Sequence, residues 1–84
     1  MRAPDLLERM RANPQGDWTI ADIERLCRAY GLTITAPRRG SHYKVRDPKS
    51  GAILTIPARR PIKAVYIRAL VALADRFREG KDGQ

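Results

Sequence analysis

The sequence has few of the residues that most often carry chemistry. Its 84 residues, enough for one domain, include one cysteine and one histidine. The single cysteine, Cys27, cannot form an internal disulfide and fits a reducing compartment. One His and one Cys on separate elements do not give the spacing of a metal site, so we expect no metal and no cofactor.

No apolar run approaches the ~20 residues of a membrane span, and Leu6 and Leu7 are followed by charges rather than a signal-peptide stretch. We therefore expect a cytoplasmic protein without a membrane partner.

Acidic residues are almost absent from the middle third of the chain. The protein has 17 Lys and Arg against 9 Asp and Glu, a net charge of +8. Residues 1–37 and 69–84 are each neutral, whereas residues 38–68 hold nine cations and only one acid, Asp47. A positive field concentrated in one segment attracts polyanions. We interpret this segment as a nucleic-acid-binding surface rather than as a solubilising face.

Two helices are predicted in the first third of the chain. Residues 4–12 form a short helix, which the turn-forming residues 13–16 end. The second helix begins after Thr19, which suits an N-cap with Asp22 as its capping-box partner. It ends at Gly31, because glycine readily adopts the left-handed conformation that terminates helices.

The apolar periodicity then changes from 3.6 to 2, which is typical of strands. Alternation over residues 32–36, 41–46 and 52–56, with short connections, predicts a three-stranded antiparallel sheet. A last helix is expected from near Pro61 to about residue 78. The order α-α-β-β-β-α predicts an α+β fold in which helices cover one face of the sheet.

The last helix has more apolar residues than one packing face requires. The stripe expected to pack on the sheet comprises Ile62, Val65, Tyr66, Ala69, Leu73 and Phe77. Ile67, Val71 and Ala74 extend the apolar arc beyond this stripe and need a covering surface. That cover is either the first helix, which contributes Leu6, Leu7 and Met10, or a second protein.

His42 is the residue of the basic segment best suited to chemistry. It follows Gly40 and Ser41 at the start of the second strand, on the face that carries Lys44 and opposite Tyr43. Imidazole accepts and donates protons at physiological pH, and nearby cations would stabilise charge on a phosphate. Gly40 would let the backbone approach a ligand closely. An incidental surface histidine is the simpler interpretation, since most histidines are not catalytic.

A second basic cluster occupies residues 59–63, at the predicted start of the last helix. Free N–H groups and the helix dipole also attract phosphate at such a position. The candidate RNA contacts of both basic clusters are Arg38, Arg39, Gly40, Lys44, Arg46, Arg59, Arg60 and Lys63.

Several short motifs together resemble the HicA toxins. Residues 39–43 read Arg-Gly-Ser-His-Tyr, residues 54–57 read Leu-Thr-Ile-Pro, and Ile-Lys and Ile-Arg pairs follow at 62–63 and 67–68. HicA toxins are small bacterial mRNA interferases of type II toxin–antitoxin systems. Their α-β-β-β-α fold is like that of double-stranded-RNA-binding domains. The resemblance covers about residues 19–77.

The resemblance implies domain bounds, a catalytic residue and a partner. It implies a HicA-like domain over residues 19–78, preceded by a helical extension over 1–18 and followed by a polar tail over 79–84. His42 matches the family's catalytic histidine, although many members have a second histidine where this chain has Tyr43. A HicB-type antitoxin is implied as the partner that covers the active face in a hetero-oligomer.

From the residues and the resemblance we expect a metal-independent endoribonuclease. His42 would assist attack by a ribose 2′-hydroxyl or protonate the leaving 5′-oxygen. One histidine cannot do both at once, so Ser41, Tyr43, Lys44 or water would supply the second proton transfer. The alternative is a non-catalytic double-stranded-RNA-binding module, because the same fold and basic surface serve that role. A DNA-binding accessory protein is a third possibility.

Overall fold

The computed structural model describes the chain over residues 3–82, with side chains described over residues 6–76. Three helices and three strands follow one another in the order α-α-β-β-β-α, which confirms the predicted α+β fold. Their bounds are α1 Ala3–Ala12, α2 Ile20–Tyr30, β1 Thr33–Thr35, β2 His42–Arg46, β3 Ile53–Pro57 and α3 Ala64–Asp82. None of the helices in the described part of the chain is long and apolar enough to cross a membrane.

The ends of α2 follow the predicted capping chemistry. The Asp22 N–H donates to the Thr19 hydroxyl oxygen at 3.4 Å, and the Thr19 N–H donates to the Asp22 carboxylate at 3.0 Å. These bonds form a capping box, which satisfies N–H groups that have no partner within the helix. At the other end Gly31 has φ 77° and its N–H donates to the carbonyl oxygen of Cys27. Both predicted ends of this helix are confirmed.

The three strands form an antiparallel sheet in the order β1-β2-β3. Val45 in the middle strand pairs with Ile34 on one side and Leu54 on the other. Val45 is buried and lies in the core, as does Ile56 two residues beyond Leu54. Since side chains alternate along a strand, one face of the sheet packs on the helices and the other faces solvent.

The last helix begins later and ends later than expected. The Lys63 carbonyl oxygen accepts hydrogen bonds from the N–H groups of Tyr66 and Ile67 at 3.0 and 3.2 Å, so the helix starts at Ala64 and not near Pro61. The segment before it is held by tertiary contacts instead. Ile62 is buried, and its N–H donates to the carbonyl oxygen of Trp18 at 2.9 Å. At the other end α3 continues to Asp82, into the segment expected to be a polar tail.

The buried face of α3 differs in part from the expected stripe. Val65 was expected on the sheet side, but it is 61% exposed, so this expectation is wrong. Leu73 is buried as expected, whereas the side chain of Phe77 lies outside the described residues. Among the α3 side chains that the structure describes, the buried ones are Ile67, Leu70, Val71, Leu73 and Ala74. This face is wide because α3 contacts both the sheet and α1.

The additional apolar arc of α3 is covered by α1. The side chains of Leu6, Leu7 and Met10 are at most 2% exposed, and α1 contacts both α2 and α3. The Arg11 guanidinium adds two hydrogen bonds to the Asp75 carboxylate of α3, at 2.7 and 2.8 Å. The apolar arc of α3 is thus buried within the chain, and no second protein is needed to cover it.

Candidate nucleic-acid interface

His42 lies at one end of the middle strand, on the face of the sheet that is open to solvent. It is the first residue of β2, is exposed, and pairs with Pro57, the last residue of β3. The carbonyl oxygen of Ser41 accepts a hydrogen bond from the Ala58 N–H at 2.6 Å, so the strand pairing continues beyond both elements. The Gly-Ser-His motif is therefore fixed to β3, although the His42 side chain is open to solvent.

The open face of the sheet carries its cations along the middle strand. Exposed His42, Lys44 and Arg46 alternate with the inward-facing residues of β2, as the sequence predicts. Successive members of this row are about 7 Å apart, twice the rise of one strand residue. Lys44 lies between Thr35 and Thr55 in the neighbouring strands. These short polar neighbours leave Lys44 accessible to a polyanion.

The three candidate helpers of His42 have different positions. Lys44 is on the same face of β2, whereas Tyr43 is half-buried on the other face, where it pairs with Ile56. Ser41 is exposed and directly precedes His42. The structure thus brings Lys44, but not Tyr43, to the face that carries His42.

The backbone conformation at position 40 requires a glycine. Its φ is +76°, which L-residues with a side chain rarely adopt, and a Cβ at this position would meet no atom within 4 Å. The space above Gly40 is therefore open, which leaves its backbone accessible from solvent.

The basic cluster after β3 borders a pocket of about 130 Å³. We call it the junction pocket, because it lies between the end of β3 and the start of α3. Its lining residues are Pro57, Arg59, Pro61, Lys63 and Tyr66. Through Pro57, the strand partner of His42, this pocket lies at the same end of the sheet as the histidine. Tyr66 is half-buried against the core, as expected, and also lines this pocket, which the sequence did not indicate.

One candidate RNA contact, Arg60, is paired with an acid. Its guanidinium donates to both oxygens of the Asp17 carboxylate, at distances from 2.6 to 3.2 Å. The hydrogen bond from Arg60 lowers the pKa of Asp17, against the opposing effect of burial. Nothing local in the sequence indicates this pair, because the two residues are 43 positions apart. Arg60 is thus less available to a phosphate than Arg59 is.

Asp47, the single acid of the basic segment, is directed into the turn between β2 and β3. It is only 5% exposed. Its carboxylate accepts hydrogen bonds from the Lys49 N–H and the Ser50 hydroxyl, both at 2.9 Å. Burial alone would raise the pKa of Asp47, but these hydrogen bonds outweigh it and the pKa is lowered. The carboxylate therefore stabilises the turn. It does not neutralise the exposed cations on the open face of the sheet.

Cys27 is part of the core. It is fully buried in α2, and burial, helped by the charge of Glu24, raises the pKa of its thiol to about 11. The thiolate, which is the nucleophilic form, is therefore scarce at neutral pH. Within the described residues, no group of three or more His, Cys, Asp or Glu side chains is placed to hold a metal ion.

Comparison of the chain with protein-family models, with curated proteins and with solved structures gave no match. The resemblance to the HicA toxins accordingly depends on the short motifs around His42 and at the end of β3.

Proposed function

We propose that the protein is a toxin ribonuclease of the HicA type, which cuts mRNA on the open face of its sheet with His42 as general acid or base. One observation carries the proposal. The single histidine of the chain is exposed at the start of β2, in a row with Lys44 and Arg46 and at the same end of the sheet as the junction pocket.

The chemistry requires no group other than the RNA and the protein. The ribose 2′-hydroxyl attacks the adjacent phosphate, and the bond to the 5′-oxygen of the next nucleotide breaks. His42 takes the proton from the 2′-hydroxyl or gives one to the leaving oxygen. Lys44, on the same face, would stabilise the negative charge that grows on the phosphate. Where His42 takes the proton from the 2′-hydroxyl, Lys44 would give the other proton to the leaving oxygen; where His42 gives that proton, Ser41 or water would accept the one from the 2′-hydroxyl. Of the helpers expected from the sequence, Ser41 and water also remain candidates.

The path of the RNA follows the cationic candidate contacts that form no salt bridge among the described side chains. These residues are Arg38, Arg39, Lys44, Arg46, Arg59 and Lys63. They lie on the open face, on the loop before β2 and at the junction pocket, whereas Arg60 is held by Asp17. Phosphate contacts of this kind give affinity and register without reading the sequence.

A HicB-type antitoxin remains part of the proposal, with its site on the open face of the sheet. Since α1 already covers the apolar arc of α3, that arc offers no place for it. The open face instead presents Ile53, 61% exposed, beside Arg46. An antitoxin seated there would block access of RNA to His42. The toxin would act in the cytoplasm, where its mRNA substrate is found.

The proposal is tested by producing the wild type and His42→Ala in cells without a partner protein. The wild type should stop growth and degrade mRNA, while His42→Ala should do neither. Thr33→Ala, which changes an exposed residue at the far end of the same face, is the matched control and should be as toxic as the wild type. Equal toxicity of His42→Ala and the wild type would contradict the proposal.

A non-catalytic double-stranded-RNA-binding module is the second candidate. The order α-β-β-β-α after α1, with one basic face of the sheet open, favours it. Such a module binds duplex RNA by shape and by phosphate contacts, without chemistry. Tight binding of duplex RNA that stays intact, with no effect of the wild type on mRNA in cells, would decide for this function.

A further inference from the structure

We propose that the junction pocket binds one unpaired nucleotide of the RNA, with the base in the pocket and a phosphate on Arg59 and Lys63. This deepens the proposed function, on which it rests, because it states that the substrate is single-stranded next to the site of cleavage.

The size of the pocket fits one ring system. Cavities of about 150 Å³ accommodate a ring the size of benzene, and the junction pocket has about 130 Å³. It is also open to solvent at one side, so a base attached to a backbone enters without displacing a strand. A base that remains paired and stacked in a duplex presents only its edge and cannot enter.

The lining of the pocket is chemically suited to a nucleotide. Tyr66 supplies an aromatic ring, and Pro57 and Pro61 supply apolar surfaces. Bases stack on such surfaces regardless of their identity. Arg59 and Lys63 add two exposed cations at the border of the same pocket, where a phosphate attached to the base would lie. An uncharged or cationic ligand would leave both cations without a counter-charge.

Hydrogen bonds hold the loop between β3 and α3, which carries the lining residues Arg59, Pro61 and Lys63. Arg60 is bonded to Asp17 by three contacts of 2.6 to 3.2 Å. The Ile62 N–H is bonded to the Trp18 carbonyl oxygen, and the Ala58 N–H to that of Ser41. These bonds tie both ends of the loop after β3 to neighbouring segments. A loop held in this way loses less conformational entropy when a ligand binds beside it.

The distance from the pocket to His42 is short. Pro57 lines the pocket and is the strand partner of His42, and Cβ atoms of directly paired residues lie about 5 Å apart. A nucleotide held in the pocket would therefore place an adjacent phosphate near the histidine. Binding in the pocket and cleavage at the face thus involve neighbouring nucleotides of one strand.

The test measures binding of a short single-stranded RNA of mixed sequence, and of the same RNA as a duplex, to protein carrying His42→Ala. Tyr66→Leu added to this protein should weaken single-strand binding by about 5-fold or more, while Tyr66→Phe should keep the affinity. Neither change should alter duplex binding. Arg59→Ala should flatten the dependence of log affinity on log salt by about 0.7, and the charge-matched control Arg28→Ala should not.

Equal single-strand affinity of the Tyr66→Leu and Tyr66→Phe proteins would overturn the proposal, as would an equal loss for single strand and duplex. If Tyr66→Leu does not fold, an NMR measurement on protein that keeps Tyr66 still tests the proposal. The NMR signals of the Tyr66 ring should shift when the single-stranded RNA is added to the His42→Ala protein, and an unchanged ring signal at saturation would exclude the pocket. Cleavage of the same RNA by the wild type is measured separately and reports on the proposed ribonuclease activity alone.

Discussion

At the residue scale, the surroundings of each side chain decide which of the few reactive groups are available. Cys27 is buried, and its raised pKa keeps the thiol protonated. His42 is exposed at the start of β2, on the same face as Lys44 and Arg46. The difference follows from position in the fold, because the cysteine lies on the inner face of α2 and the histidine on the outer face of β2.

Asp47 gives a prediction at this scale, because its pKa is lower in the folded protein than in the unfolded chain. Its charge therefore stabilises the fold at pH values above the unfolded pKa of about 3.9. That contribution is lost as the pH falls through the lower folded pKa. We expect Asp47→Asn to reduce the free energy of unfolding at about pH 6, and the difference from the wild type to shrink at about pH 2. Urea unfolding of both proteins at the two pH values measures this, and a difference that stays constant would contradict it.

At the scale of elements, α1 is part of the core although it precedes the segment that resembles the HicA toxins. Its buried side chains lie against α2 and α3, and Leu7 is fully buried. The open face of the sheet is thus on the side of the molecule that α1 does not occupy. The proposed RNA-binding face is therefore separate from the helical side that α1 completes.

The role of α1 is tested by Leu7→Ala. Removal of a fully buried leucine side chain should lower the free energy of unfolding by about 2–5 kcal/mol. Glu8→Ala, one residue further on and exposed, is the control and should change it by less than about 0.5 kcal/mol. Chemical denaturation of the two variants gives both values. A small effect of Leu7→Ala would show that α1 is an accessory element.

The elements differ in how well the sequence predicts them, for a physical reason. The bounds of α2 depend on Thr19, Asp22 and Gly31, whose capping bonds are local, and they were predicted correctly. The start of α3 depends on the bond from Ile62 to Trp18, across 44 positions, and was predicted too early. Val65 was misplaced for a related reason, since the rotation of α3 is set by α1 and the sheet together.

The same distinction applies to the candidate site. The shared face of His42, Lys44 and Arg46 follows from strand alternation, which depends only on nearest neighbours in the sequence. The junction pocket and the pairing of Arg60 with Asp17 depend on how distant segments meet. The shared face of the β2 residues was therefore predictable from the sequence. The junction pocket and the pairing of Arg60 were not.

For the whole molecule, the net positive charge and the helices α1 and α2 belong to different parts of the chain. The excess of positive charge in residues 38–68 occupies the sheet, the loops at its ends and the start of α3. The helices α1 and α2 carry nearly balanced charge, and the ion pair of Arg11 with Asp75 joins α1 to α3. The net positive charge of the protein therefore lies outside α1 and α2.

The central claim, that His42 cuts RNA through attack by the 2′-hydroxyl, is tested most directly by analysing the ends of RNA treated with purified wild-type and His42→Ala proteins. We expect the wild type to leave a cyclic phosphate or 3′-phosphate and a 5′-hydroxyl, and to spare a position whose sugar is 2′-deoxy. His42→Ala should leave the RNA intact. Products with 5′-phosphate ends, or cleavage by His42→Ala at the wild-type rate, would contradict the claim.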